Sequence, residues 1–62
     1  MRTEHNSFWV RIVGEGFFEI WACHTDRPYA CNLALRSGFD RINDDRFFDL
    51  LSDSRTKLVA WH

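Results

Sequence analysis

Two runs of aromatic and β-branched residues, Phe8 to Val13 and Phe17 to Cys23, flank Gly14-Glu15-Gly16 near the start of the chain. Such residues suit a pleated, half-buried surface, and the glycines between them give the backbone the freedom a short hairpin turn needs. A three-residue loop with Gly16 in the left-handed conformation pairs Val13 with Phe17, Ile12 with Phe18, Arg11 with Glu19, Val10 with Ile20 and Trp9 with Trp21. In that register one face carries Phe8, Val10, Ile12, Phe18, Ile20 and Ala22, all apolar. The other carries Trp9, Arg11, Val13, Phe17, Glu19 and Trp21. A two-residue loop would mix the faces, because a slip of one residue turns every side chain of a strand over.

The polar residues Met1 to Ser7 predict a short flexible lead-in. After the hairpin, His24 to Pro28 reads as a loop entering a helix. Thr25 or Asp26 can accept the free amide hydrogens of its first turn, and Pro28 fits inside that turn. The helix covers Tyr29 to Arg36 and turns Tyr29, Ala30, Leu33 and Ala34 to one face. Gly38 can take the left-handed cap position, with Phe39 folding back onto the last turn. Asn43 is a favourable N-cap for a second helix, Asp44 and Asp45 complement its positive end, and Ile42 with Phe47 form a hydrophobic staple. Phe47, Phe48, Leu50 and Leu51 supply its buried side. Asp45, Asp49 and Asp53, spaced by four, line the opposite side, and the helix frays near Ser52 to Ser54.

Alternation over Thr56 to His62 predicts a third strand, with Leu58 and Ala60 on one side and Lys57, Val59 and Trp61 on the other. The expected architecture is α+β in a single domain over residues 1–62. A three-stranded sheet, the N-terminal β-hairpin plus the C-terminal strand, carries the helices on one face, giving two layers. Trp9, Trp21 and Trp61 then share the open face.

Composition sharpens this picture. An apolar fraction of 45% and an aromatic fraction of 16% are too high for a disordered segment, and aromatic burial is how 62 residues can build a core. Little volume remains for a deep catalytic cavity. A net charge of −1 does not attract polyanions, and only Lys57 among the basic residues is not Arg, the cation that pairs and stacks at interfaces. No apolar run approaches the roughly 20 residues of a membrane span, and the N-terminus lacks a signal core. A cytoplasmic protein without a membrane partner is expected.

The candidate chemistry is thin. Cys23 and Cys31 read as two reduced structural thiols. A zinc site joining Cys23, His24 and Cys31 to His5 or His62 matches no common spacing, and neighbours on a strand point apart. The same opposition separates Cys23 from His24 as a nucleophile–base pair. Gly14-Glu15-Gly16 is followed by no Lys-Ser/Thr, so no phosphate loop, metal or other cofactor is expected. Aromatics on an open sheet can stack bases, but a Glu19 opposite Arg11 and the slightly negative charge argue against direct nucleic-acid binding. The open face instead reads as a contact site for another protein, formed by Trp9, Arg11, Phe17, Trp21 and Trp61. The carboxylates Asp45, Asp49 and Asp53 are either a solvated helix face or an imitation of spaced phosphates.

Asn32-Leu33-Ala34-Leu35-Arg36-Ser37-Gly38-Phe39 resembles the helix ending in Gly-Phe of acetyl-CoA-dependent acetyltransferases, but that family's pyrophosphate loop has no counterpart here. As a whole, the early Phe8-Trp9 strand, hairpin, Ala-containing helix and late strand resemble the layout of small phage-encoded inhibitors. These include inhibitors of bacterial RNA polymerase and, in size and style, anti-CRISPR proteins. The resemblance implies a non-enzymatic inhibitor in the host cytoplasm. It would block a nucleic-acid-handling bacterial machine, a CRISPR effector or RNA polymerase, by surface occlusion or partial nucleic-acid mimicry. The alternative is a homodimeric structural or regulatory module, or a small nucleic-acid-binding protein that uses the open sheet.

Overall fold

The computed structural model describes residues 5–61, in the order β1 (Asn6–Val13), β2 (Phe17–His24), α1 (Pro28–Arg36), β3 (Asp40–Ile42), α2 (Asp44–Leu51) and β4 (Thr56–Trp61). Residues 1–4 of the expected lead-in and His62 lie outside this range, whereas Asn6 and Ser7 belong to β1 and Ser7 is buried. The class is α+β, but the sheet has four strands in the order β3-β1-β2-β4 rather than three.

The hairpin adopts the expected register throughout, with Trp9 opposite Trp21, Arg11 opposite Glu19 and Val13 opposite Phe17. Both turn glycines have positive φ, +62° at Gly14 and +89° at Gly16, which other residues reach only with strain.

The strand the sequence did not announce is β3. It pairs antiparallel with β1, placing Phe8 opposite Ile42 and Trp9 opposite Arg41. Three residues, two of them charged, are too short to display an alternating pattern, so the pairing is imposed by the neighbouring strand. Because β2 and β3 are both antiparallel to β1, they run in the same direction, and β4 is parallel to β2. The chain therefore crosses over twice: β2 to β3 in one direction across the sheet, then β3 to β4 back again. Right-handed crossovers in opposite directions put their helices on opposite faces.

The packing agrees, and it overturns the expectation of helices on one face. On one side of the sheet, Phe47 and Leu50 of α2 pack on Phe8, Val10, Ile20 and Ala22, with Phe18 and Ile42 at the margin. On the other, Ala34 of α1 joins Trp9, Trp21, Cys23 and Phe39, with Ala30, Cys31 and Leu33 beside them. Small residues at positions 30 and 34 let the helix come close to the tryptophans. Tyr29, expected on this face, is instead 76% exposed.

Capping follows the sequence at three of the four helix ends. Asn43 Oδ1 accepts from the Arg46 amide at 2.8 Å, and Asp44 and Asp45 occupy the first turn of α2. At its other end, α2 stops at Leu51 with Ser52 as C-cap. Gly38 ends α1 at φ +88°, with its amide bonded to Leu35 O and that of Phe39 to Ala34 O, closing a Schellman motif. The start of α1 differs. Its N-cap is Arg27, without a side-chain bond, while the Asp26 amide donates to His24 Nδ1.

Strand β4 carries the other departure. Ile20 pairs with Leu58 but Trp21 pairs with Ala60, so Val59 is an extra, bulged residue. The bulge reverses the facing of everything after it: Ala60 packs with the Trp21 cluster and Trp61 returns to the α2 side.

Candidate functional site

The expected contact face does not survive as one surface. Trp9 and Trp21 are each 7% exposed, covered by α1 and Phe39, whose ring stands edge-on to Trp21 at 5.5 Å. The sheet therefore presents no Trp9–Trp21 platform on which bases could stack. Arg11 is also engaged internally. Its Nε and Nη2 donate to Glu19 Oε1, its Nη1 donates to Ser37 O at 2.6 Å, and its guanidinium lies 4.5 Å from the Phe39 ring centre. Phe17 is exposed at the hairpin tip, remote in the fold from Trp61 at the far end of β4.

The carboxylate line is interrupted too. Asp45 and Asp49 lie exposed on α2, but Asp53 follows the helix. Asp53 accepts two bonds from the Arg55 side chain, at 3.2 and 3.0 Å, and one from the Arg55 amide, which hold its carboxyl below the usual carboxylate range. Because α2 ends at Leu51, two residues before Asp53, helical spacing does not carry Asp53 into line with Asp45 and Asp49.

Trp61 alone of the three tryptophans remains accessible, at 51%, and it does so on the α2 side. Its ring centre is 5.7 Å from that of Phe47 and 6.5 Å from that of Phe8. Phe48, 42% exposed, touches the same two rings at 5.5 and 5.7 Å. Phe8 and Phe47 pack beneath them, their rings tilted by 34° with centres 4.4 Å apart. Two half-exposed aromatic rings are thus mounted on a buried aromatic pair. Leu51, one helical turn beyond Phe48, and Leu58, paired with Ile20, are exposed apolar residues of the same elements.

Trp61 also closes an open cleft of about 460 Å³ with Asn6, His24, Asp26 and Arg27, at the carboxyl ends of β2 and β4. There the rings of His5 and His24 lie parallel, 6.0 Å apart. The apolar surface therefore has a polar margin bearing one Arg, one Asp and imidazoles.

Phe48, Leu51 and Leu58, like Ile12 near the hairpin tip and Tyr29 on α1, are surface residues that the hydrophobic pattern assigned to the interior. A signal was present: Phe47-Phe48 and Leu50-Leu51 put four large apolar residues into an eight-residue helix, more than one sheet-facing stripe can bury. Comparison with protein families, curated sequences and solved structures finds no match to the chain. Among the described residues, no helix is long and apolar enough to cross a membrane.

Proposed function

We propose that this chain is a protein-binding module that docks through the α2–β4 surface formed by Phe48, Leu51, Leu58 and Trp61. The observation that carries this reading is the pair of half-exposed rings, Phe48 and Trp61, held in place by the buried Phe8–Phe47 pair. An aromatic anchor already fixed by its neighbours loses little rotamer freedom on binding, and Trp is the residue most often found to dominate an interface. The polar margin at Asn6, His24, Asp26 and Arg27 matches the rim such anchors usually have. Action by occlusion of a larger cytoplasmic partner fits a small rigid domain. The resemblance of the sequence's strand, hairpin, helix and late-strand layout to small phage-encoded inhibitors favours a bacterial nucleic-acid-handling protein as that partner.

A second copy of the chain is the competing partner, favoured by one observation: among the described residues, the outer edge of β4 is unpaired in the order β3-β1-β2-β4. Light scattering on the purified chain separates the two readings. Monomers that capture a bacterial protein through Phe48 and Leu51, and lose it on Phe48→Asp or Leu51→Asp but keep it on Tyr29→Asp, support docking to a different protein. A stable dimer that both α2 variants dissociate identifies self-association instead.

A further inference from the structure

We propose that Cys23 and Cys31 form an oxidisable pair, converted by a hydroperoxide into an intramolecular disulfide that fastens α1 to β2. The two residues come from elements that pack directly together: Cys23 is fully buried on β2 and Cys31 lies at its margin on α1, both in the cluster around Trp9 and Trp21. Cys31 lies near enough to Cys23 to act on the ionisation of its thiol. The Cys31 Sγ also points toward the carbonyl oxygen of His24, the residue following Cys23, at 3.7 Å. They are the only cysteines in the chain. Side chains of two packed elements that share one cluster can be joined by rotamer changes rather than by a rearrangement of the fold.

Their surroundings assign the order of events. Cys31 is partly exposed and can meet a peroxide, whereas Cys23 has no exposed surface and burial pushes its thiol up to about 12. The Cys31 sulfur attacks one peroxide oxygen, the O–O bond breaks, and the leaving alkoxide takes the thiol proton. Cys31 becomes a sulfenic acid, oxidised by two electrons, and the hydroperoxide is reduced to an alcohol. The Cys23 sulfur then attacks Cys31 sulfur, the S–O bond breaks, and the departing hydroxide takes the Cys23 proton as water. Two thiols and one hydroperoxide give one disulfide, one alcohol and one water. The consequence falls on α1, whose N-terminus has no side-chain cap. The bond ties that helix covalently to the central sheet.

The test treats the reduced full-length chain with hydrogen peroxide, then alkylates under denaturing conditions and measures intact mass. A monomer that has lost two hydrogens, takes up no alkyl group until reduced, and melts at a higher temperature than the reduced chain is expected. Cys23→Ser should stop at a Cys31 sulfenic acid trapped by dimedone, and Cys31→Ser should leave Cys23 unmodified by peroxide. Disulfide-linked dimers as the oxidised product, or sulfinic and sulfonic acids without an internal bond, would overturn the pairing.

Discussion

Arg11, in the middle of β1, donates through Nη1 to the carbonyl oxygen of Ser37, the C-cap of α1, at 2.6 Å. One guanidinium thereby satisfies a helix-end acceptor, pairs with Glu19 on β2 and covers the Phe39 ring. A cation at a helix C-terminus also meets the negative end of the helix dipole. The Arg–Glu pair of the hairpin, legible in the sequence as a candidate contact, is therefore a brace between the sheet and the end of the helix.

Arg11→Ala should lower the unfolding free energy by about 1–2 kcal/mol, allowing for the side chain's partial exposure. Arg11→Lys should recover only part of it, since an ammonium cannot hold Glu19 and Ser37 in the same planar arrangement. Urea denaturation reads both. Equal stability of all three proteins would mean that the brace carries no load.

Ile20 is fully buried in the α2-side core, and Ile20→Ala should cost about 2–5 kcal/mol. A loss below about 1 kcal/mol would show that the site collapses onto the missing volume. Gly38→Ala tests the backbone instead. At φ +88° a side chain is strained even though no atom lies closer than 4.0 Å to the added carbon. The expected loss is about 1–2 kcal/mol.

Much of this was readable in advance, and the failures share a cause. Hairpin register, the Gly38 and Asn43 caps and the Ile42–Phe47 staple are set by residues close in sequence, or by a facing pattern that only one register satisfies. The strand at Asp40–Ile42, the Val59 bulge and the side of the sheet taken by α1 are decided by pairings made across the fold. Those pairings relocate the candidate site. Covering Trp9 and Trp21 with α1 removes two anchors, while the bulge carries Trp61 to the face where Phe48 stands.

The Cys23 thiol supplies a pH dependence with a definite sign. Burial, aided by Cys31, raises it from 9.0 to about 12, against smaller opposite effects of the Trp9 indole and Arg41. An unfolded thiol ionises first, so this contribution is fully present below about pH 9 and is lost as pH rises from there toward 12. The slope approaches about 1.4 kcal/mol per pH unit at most. Reduced Cys23→Ser should fall less steeply than the reduced parent over that interval, measured by denaturant unfolding. Parallel curves would mean that Cys23 ionises in the folded chain as it does in the unfolded one.

The docking surface yields the last expectation, and its two components separate by rate. Trp61 offers the larger desolvatable area, so Trp61→Ala should weaken partner binding by at least about 2 kcal/mol, chiefly through faster dissociation. Because Trp61 also packs on Phe8 and Phe47, its loss can disturb the core; Phe48→Ser, which leaves the Phe8–Phe47 pair in place, distinguishes the two effects. Asp45 and Asp49 lie exposed on the same helix and act at longer range. Changing both to Asn should slow association and flatten its salt dependence while leaving dissociation nearly unchanged. Asp53, held by Arg55, should contribute little to that steering. If the Asn pair alone abolishes binding and Trp61→Ala and Phe48→Ser do not, the carboxylates rather than the rings engage the partner, and competition by nucleic acid for the same site becomes the expected accompaniment. If the ring variants alone fail, the aromatic surface is sufficient. Folded variants of both kinds that bind as the parent does would remove α2 and β4 from the interface.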